Sequence, residues 1–339
     1  MKYCYWMVFF AVSFMACQNS SKDTTLLKNV TGDYLGQPLP DSIPQIFAPG
    51  IINTGKFTRD ITMTPDGNEI WFSICGHSFS FSTILVCKRM DGVWTKPQVA
   101  PFVKGANYKY IEPFISPDGQ YLYFASDQSL TVGGEPKDFD IWRCPRVDDK
   151  WGEAENVGMP VNTAGDEFFP SLTQSGTIYY TSETKGAEGV ILKASSTERG
   201  FAQPDTLPRS VNCGRARFNA FISPDERFLI QGVYGLPDTY GATDHYIFFR
   251  NADGQWSGAI NMGDKVNSAA GSEYAATLSP DGQYLFFMSD RVQKEMPVMT
   301  PMTTVLIDEL YQSGGQGLTS VYWMKSDFIN DLRQKAKWN

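Results

Sequence analysis

The 339-residue chain predicts an all-β protein: a five-bladed β-propeller of four-stranded antiparallel blades, the last blade closed by an N-terminal strand. Three observations lead there. One phrase, Ser-Pro-Asp-Gly or a variant of it, occurs five times between two apolar, aromatic stretches. The copies are spaced at nearly constant intervals. The last copy lacks an outer strand that the N-terminal region is able to supply.

The copies are Ile61-Thr-Met-Thr-Pro-Asp-Gly67, Phe114-Ile-Ser-Pro-Asp-Gly119, Ser171-Leu-Thr-Gln-Ser-Gly176, Phe221-Ile-Ser-Pro-Asp-Glu226 and Thr277-Leu-Ser-Pro-Asp-Gly282. The position of Pro65 returns at Pro117, Gln174, Pro224 and Pro280, at intervals of 52, 57, 50 and 56 residues. Strand-built repeats near that period mark propeller blades. Proline pre-sets the first turn dihedral and glycine accepts the positive one, so Pro-Asp-Gly joins two antiparallel strands tightly. In the second repeat the inner strand spans 110–116, the next 120–126, the third 140–147 and the outer one 153–157. Third strands elsewhere fall at 84–90, 190–196, 245–252 and 320–325. A large aromatic follows most of them, at Trp94, Trp151, Phe201 and Trp256. Aromatics at fixed offsets serve packing between blades more often than they serve carbohydrate stacking.

The outer strands run into an exit phrase, Asn156-Val-Gly-Met-Pro-Val-Asn-Thr163 and again Asn261-Met-Gly-Asp-Lys-Val-Asn-Ser268. The fifth repeat stops at Lys325 without it. Ile46-Phe-Ala-Pro-Gly-Ile-Ile-Asn-Thr54 supplies the missing piece, and closing the ring this way removes an open sheet edge. Residues 44–327 therefore form the propeller. Ser326 and Asp327 then cap a short helix over 328–339 that presents Phe328, Ile329 and Leu332.

Residues 1–16 read as a signal peptide, with Lys2 before an apolar run too short to span a bilayer. Phe14-Met-Ala-Cys17 resembles a bacterial lipobox, in which Cys17 becomes the lipidated first residue, and 17–43 reads as a polar tether. The expected location is the outer membrane, facing the periplasm or the cell surface, with the lipid as the only membrane contact. A net charge of −8 and a pI near 4.9 leave no basic stripe for nucleic acid. Cys75, Cys87, Cys144 and Cys213 show no metal spacing. Cys75 and Cys87, on successive strands, are either a disulfide or two buried thiols.

The repeat resembles the TolB-type propeller, the Pro-Asp variant of the WD-repeat family, over almost all of 44–327. The matching features are the Ser-Pro-Asp-Gly turns, Phe287-Met-Ser-Asp-Arg291, Trp-Ser before an outer strand and Asn-Met-Gly-Asp-Lys-Val-Asn. Gln174-Ser-Gly176 and Glu226 depart from the pattern. The Asp23 behind Cys17 resembles the export signal of surface lipoproteins in the Bacteroidetes. The resemblance implies a fold that hosts scaffolds, peptidase domains, a few lyases and lipoproteins, so activity has to be argued from the site.

In a propeller the inner strands line a central channel. Seven residues before each turn glycine stand Asp60, Glu112, Phe169, Asn219 and Ala275. Two residues earlier stand Thr58, Tyr110, Glu167, Arg217 and Glu273. Strand alternation puts both registers on one side. That places Asp60, Glu112, Glu167 and Glu273 at one mouth with Arg59, Arg217, Tyr110 and Asn219, walled by the connections 127–139, 232–244 and 290–319. Three readings stay open: channel carboxylates that are solvated or paired with Arg59 and Arg217, a ligand site for a glycan, peptide or protein, and a carboxylate pair for glycoside hydrolysis. No cofactor is called for. His77 and His245 lie in different repeats, no Gly-x-Ser-x-Gly elbow occurs, and Asp138 and Asp140 are the only cation ligands to suggest themselves.

Overall fold

The Ser-Pro-Asp-Gly phrase closes on itself through its side chains. In the second blade Asp118 Oδ1 accepts the Ser116 hydroxyl at 2.5 Å and the Gln120 N–H at 3.0 Å, while Ser116 Oγ accepts the Tyr121 N–H at 3.0 Å. Thr64 with Asp66, Ser223 with Asp225 and Ser279 with Asp281 repeat it. Turns that satisfy their own backbone in this way set the hairpin register locally. The computed structural model describes residues 26–184, 188–269, 271–292 and 301–338. The segment expected to be a signal peptide, Cys17 and the expected tether up to residue 25 lie outside the described residues.

Five antiparallel blades surround one axis. Their innermost strands are Phe57–Met63, Tyr110–Ile115, Asp166–Leu172, Ala216–Ile222 and Glu273–Leu278. Each pairs outward with a second strand and then a third, and the outermost strands are short, such as Glu155–Asn156 and Ile260–Asn261. In the fifth blade the outer strand is Gln45–Ile46, paired with Tyr322 and Trp323 of Ser320–Lys325. The ring closes as the sequence predicts.

The exit phrase has a specific role. Its final asparagine turns its side-chain amide onto the first residues of the third strand and extends the sheet where the backbone leaves it. Asn162 accepts from Ile141 N–H and donates to Ile141 C=O, both at 2.9 Å. Asn212 holds Ile191 in the same way, and Asn267 holds His245. In the fifth blade the clasp comes from the other end of the chain. Asn53, 1% exposed, accepts from Val321 N–H at 3.0 Å and donates to Phe47 C=O at 2.5 Å.

The tether ends earlier than expected. Leu26–Thr31 pairs antiparallel with Val93–Thr95, Trp94 donates to Gly32 C=O at 2.7 Å, and Leu35 is buried. Tyr34 packs edge-on against Tyr284 of the last blade, so residues 26–36 cover the seam between first and last blades. The cause is composition: Leu27, Val30, Tyr34 and Leu35 carry too much apolar surface for a solvated linker and pack on the core. The C-terminal helix spans Phe328–Arg333 and buries Ile329 and Leu332, but no side chain caps it. A second helix, Thr304–Tyr311, lies within the 290–319 connection and was not foreseen.

The aromatics after the third strands pack as proposed. Trp94 is fully buried, and Trp151 packs edge-on against Trp71 of the preceding blade while donating to Glu69 at 2.7 Å. The four cysteines within the described residues are free. Cys75 pairs with Ser82 and Ile70 with Cys87, so the two cysteines sit five residues apart along one hairpin. At the rise of a strand that is about 16 Å, beyond the reach of a disulfide.

Candidate functional site

One backbone feature reorganises the mouth of the channel. Asp60, Glu112, Phe169, Asn219 and Ala275 all adopt positive φ, at 49°, 60°, 49°, 53° and 57°. The pairing of each innermost strand with its neighbour shifts register at this point. Five non-glycine residues in the left-handed region, one per blade, form a girdle of β-bulges at a cost of about 1 kcal/mol each. A bulge inserts one residue, so side chains two positions apart across it no longer share a face.

The two predicted registers therefore separate. Arg59, Asp60, Glu112 and Asn219 come together on the axis. Tyr110, Glu167, Arg217 and Glu273 do not join them. Tyr110 packs with Phe102 and Phe124, its hydroxyl donating to Gln128. Glu167 accepts from Thr163 and Ser182, and Glu273 from Ser268 and Ser289. Arg217 turns toward Glu188 at 3.1 Å. Asp138 and Asp140 face Lys137 at 3.2 and 2.6 Å, which leaves them paired with a side-chain cation.

What faces the axis instead is the residue just before each bulge: Arg59, Ile111, Phe168, Phe218 and Tyr274. With Phe79 and Phe139 from the connecting loops they line a cup of about 450 Å³. Lys109, Thr181, Glu183 and Thr243 add polar groups to its lining. The Phe139 and Phe168 rings lie 5.0 Å apart, and half-buried Phe218 faces the same space. None of these aromatics was singled out from sequence. The signal was available one register earlier, where three of the five repeats carry an aromatic.

The floor of the cup is one connected network. Arg59 Nε donates to Asp60 at 2.6 Å and its Nη2 to Glu112 Oε1 at 2.8 Å. Asn219 Nδ2 donates to the same Glu112 oxygen at 2.9 Å, and Glu112 Oε2 accepts the Phe169 N–H at 2.7 Å. The Arg59 guanidinium carbon sits 5.4 Å from the ring centres of both Phe79 and Tyr274. Glu112 on the second blade is thus bonded to the first, third and fourth blades, and Tyr274 of the fifth stacks on its partner. Beneath the girdle the channel narrows to a void of about 10 Å³. The cup is a blind pocket.

Burial pushes the Glu112 carboxyl up to about 7, against the pull of Arg59 and with the Asp60 charge adding to the rise. Burial raises Asp60 as well, and Arg59 opposes it. For Arg59 burial works against the charge, but the two carboxylates outweigh it and hold the cation. Two carboxylates share one arginine, so the proton of one is linked to the charge of the other.

No known family profile matches the chain, and neither does any curated protein. It is similar to TolB-type propellers of known structure. A protein provisionally named TolB from Agrobacterium tumefaciens superposes with a TM-score of 0.47 and 15% identity, over 85% of this chain and 99% of that one. TolB from Acinetobacter baumannii does so at 0.41 and 13%, over 80% of this chain and 55% of its own. A puromycin-hydrolysing peptidase from Mycobacterium tuberculosis reaches 0.41 and 11%, over 68% of this chain and 34% of its own. Likeness at this level does not choose between a scaffold and an enzyme, so the cup has to carry the functional argument.

Proposed function

We propose that this chain is an extracytoplasmic propeller, anchored through a lipidated Cys17, that works as a recognition module. Its ligand is a segment of a peptide or protein partner received in the aromatic cup. The single observation that supports this reading is the blind, aromatic-walled pocket of about 450 Å³ over a floor whose carboxylates are already hydrogen-bonded. Such a pocket offers large apolar contact area and a few fixed polar groups, which is the composition of a binding site. A carbohydrate-active hydrolase would need an acid and a base flanking the scissile bond. Glu167 and Glu273 are turned away, and Asp60 and Glu112 are both hydrogen-bonded to Arg59.

The test is a selection of displayed peptides on the immobilised ring, repeated with Phe218→Ala. Recognition through the cup predicts an enriched sequence that the variant binds at least tenfold more weakly. Enrichment of the same peptides on both proteins would move the site elsewhere on the ring. Failure to enrich any peptide would reject the reading.

A further inference from the structure

The floor of the cup leaves particular atoms open. Arg59 is buried, its side chain 5% exposed, and Nε and Nη2 are taken by Asp60 and Glu112. Its Nη1 has no hydrogen-bond partner among the described residues, and the side chain lines the cup. Asn219 turns Nδ2 to Glu112 Oε1, the oxygen that also accepts from Arg59, so its Oδ1 is the atom left over. Both residues donate to the same Glu112 oxygen. A free donor and a free acceptor therefore flank one point on the floor. Thr181 Oγ1, on a residue 2% exposed and also lining the cup, is a buried polar atom without a partner, and Asp60 Oδ1, on the side away from the cup, is another.

Resting on the recognition reading above, we propose that the cup binds an internal, uncharged aromatic residue of an extended peptide, by its own backbone C=O and N–H and by its ring. In an extended strand the N–H and C=O of one residue point the same way, as in the doubly bonded pairs of an antiparallel sheet. That edge matches a floor with Arg59 Nη1 as donor and Asn219 Oδ1 as acceptor. The ring then lies among Phe139, Phe168 and Phe218. A chain terminus fits less well. A carboxylate would approach Asp60, Glu112 and Glu183, and an ammonium, though drawn to Glu183 on the wall, would set its N–H groups against the N–H edge of Arg59 on the floor. Lys109 does not offset an incoming anion, because it already faces Asp127 at 3.6 Å.

The experiment uses the folded ring and four small probes, with binding followed by chemical shifts. The first is N-acetyl-phenylalanine N-methylamide, blocked at both ends. The second is its depsi analogue, with an ester oxygen in place of the residue's own N–H. The third is N-acetyl-phenylalanine, a carboxylate, and the fourth is phenylalanine N-methylamide, an ammonium. At pH 6.5, where the free α-amino group of the fourth probe is almost fully protonated, the doubly blocked amide should bind and lose at least tenfold in Phe218→Ala. The depsi analogue should bind several-fold more weakly, and both charged probes at least tenfold more weakly. A charged probe binding as tightly as the neutral amide would overturn the proposal, as would a depsi analogue of equal affinity or no binding by the neutral amide. If peptide selection still depends on Phe218 after such a result, recognition stands and only the ligand class falls. If that dependence is absent too, both fall.

Discussion

Glu112→Ala tests whether the girdle is held by one carboxylate. The substitution leaves three buried donors without their acceptor: Arg59 Nη2, Asn219 Nδ2 and the Phe169 N–H. Arg59 keeps Asp60, so the loss is smaller than for a stranded charge. The two neutral donors cost about 1 kcal/mol each and the charged one about 2, giving about 4 kcal/mol in total. Glu112→Gln keeps an oxygen for Arg59 and Asn219 but sets its NH₂ against the Phe169 N–H, for about 2 kcal/mol. The pH dependence separates charge from shape. With its carboxyl raised to about 7 in the fold, Glu112 keeps a proton that the unfolded chain releases. Its contribution is therefore full below about pH 4.5 and is lost as pH rises through about 7, a swing of about 3 kcal/mol. Urea unfolding followed by tryptophan fluorescence should find the Glu112→Gln penalty larger at pH 5 than at pH 8. A Glu112→Ala protein within about 1 kcal/mol of wild type, or a Gln penalty that grows with pH, would refute the reasoning.

His245 has the opposite sign. It is fully buried with both ring nitrogens unpartnered, and burial lowers its pKa to about 3 with Arg291 adding to the drop. The stability it permits is present above about pH 6.5 and is lost as pH falls below that, so wild type should lose about 2 kcal/mol relative to His245→Met between pH 7.5 and pH 5; a difference that does not change with pH would count against it. Asn53→Ala removes the clasp between the chain ends and should cost about 3 kcal/mol by urea titration, against about 1 for Asp118→Ala in a single turn. Equal costs would mean that closure adds nothing. Cys17→Ala should move the protein from membrane to soluble fractions with the ring's melting temperature unchanged; persistent membrane fractionation with no lipid on the wild type would end the lipoprotein reading.

The ring was legible because its determinants are local. A turn that bonds its own Ser116, Asp118 and Gln120 is written in adjacent letters, and so is an exit phrase ending in a clasping asparagine. Even closure could be read, as a phrase missing from one end and present at the other. The cup was not legible, because its determinant is a backbone conformation without a residue type. Asp60, Glu112, Phe169, Asn219 and Ala275 share positive φ and little else. Of these, only asparagine and aspartate favour that region, so no composition rule marks the bulge. Strand alternation carried across it assigns the wrong face to every residue on its far side. That is why Glu167 and Glu273 were counted at the mouth and Phe168 and Tyr274 were not.

The bulge also explains why the site took the form it did. All five blades carry it, so it belongs to how the innermost strands meet around the axis. What differs from blade to blade is the side chain each bulge delivers. Three blades place Asp60, Glu112 and Asn219 there, and Arg59 and Glu112 link them, with Asp60 Oδ1 left unpartnered. The other two place Phe169 and Ala275, which bring no further charge. The register before the bulge turns to the axis as a consequence, and it is there that the chain carries Phe168, Phe218 and Tyr274. A repeated structural irregularity thus supplies both halves of the pocket: a polar floor that closes the channel and an aromatic wall above it. Changing the wall residue Phe218 should alter binding with little effect on the ring, whereas changing Glu112 should loosen the ring itself. This division is what makes the functional reading testable apart from the fold.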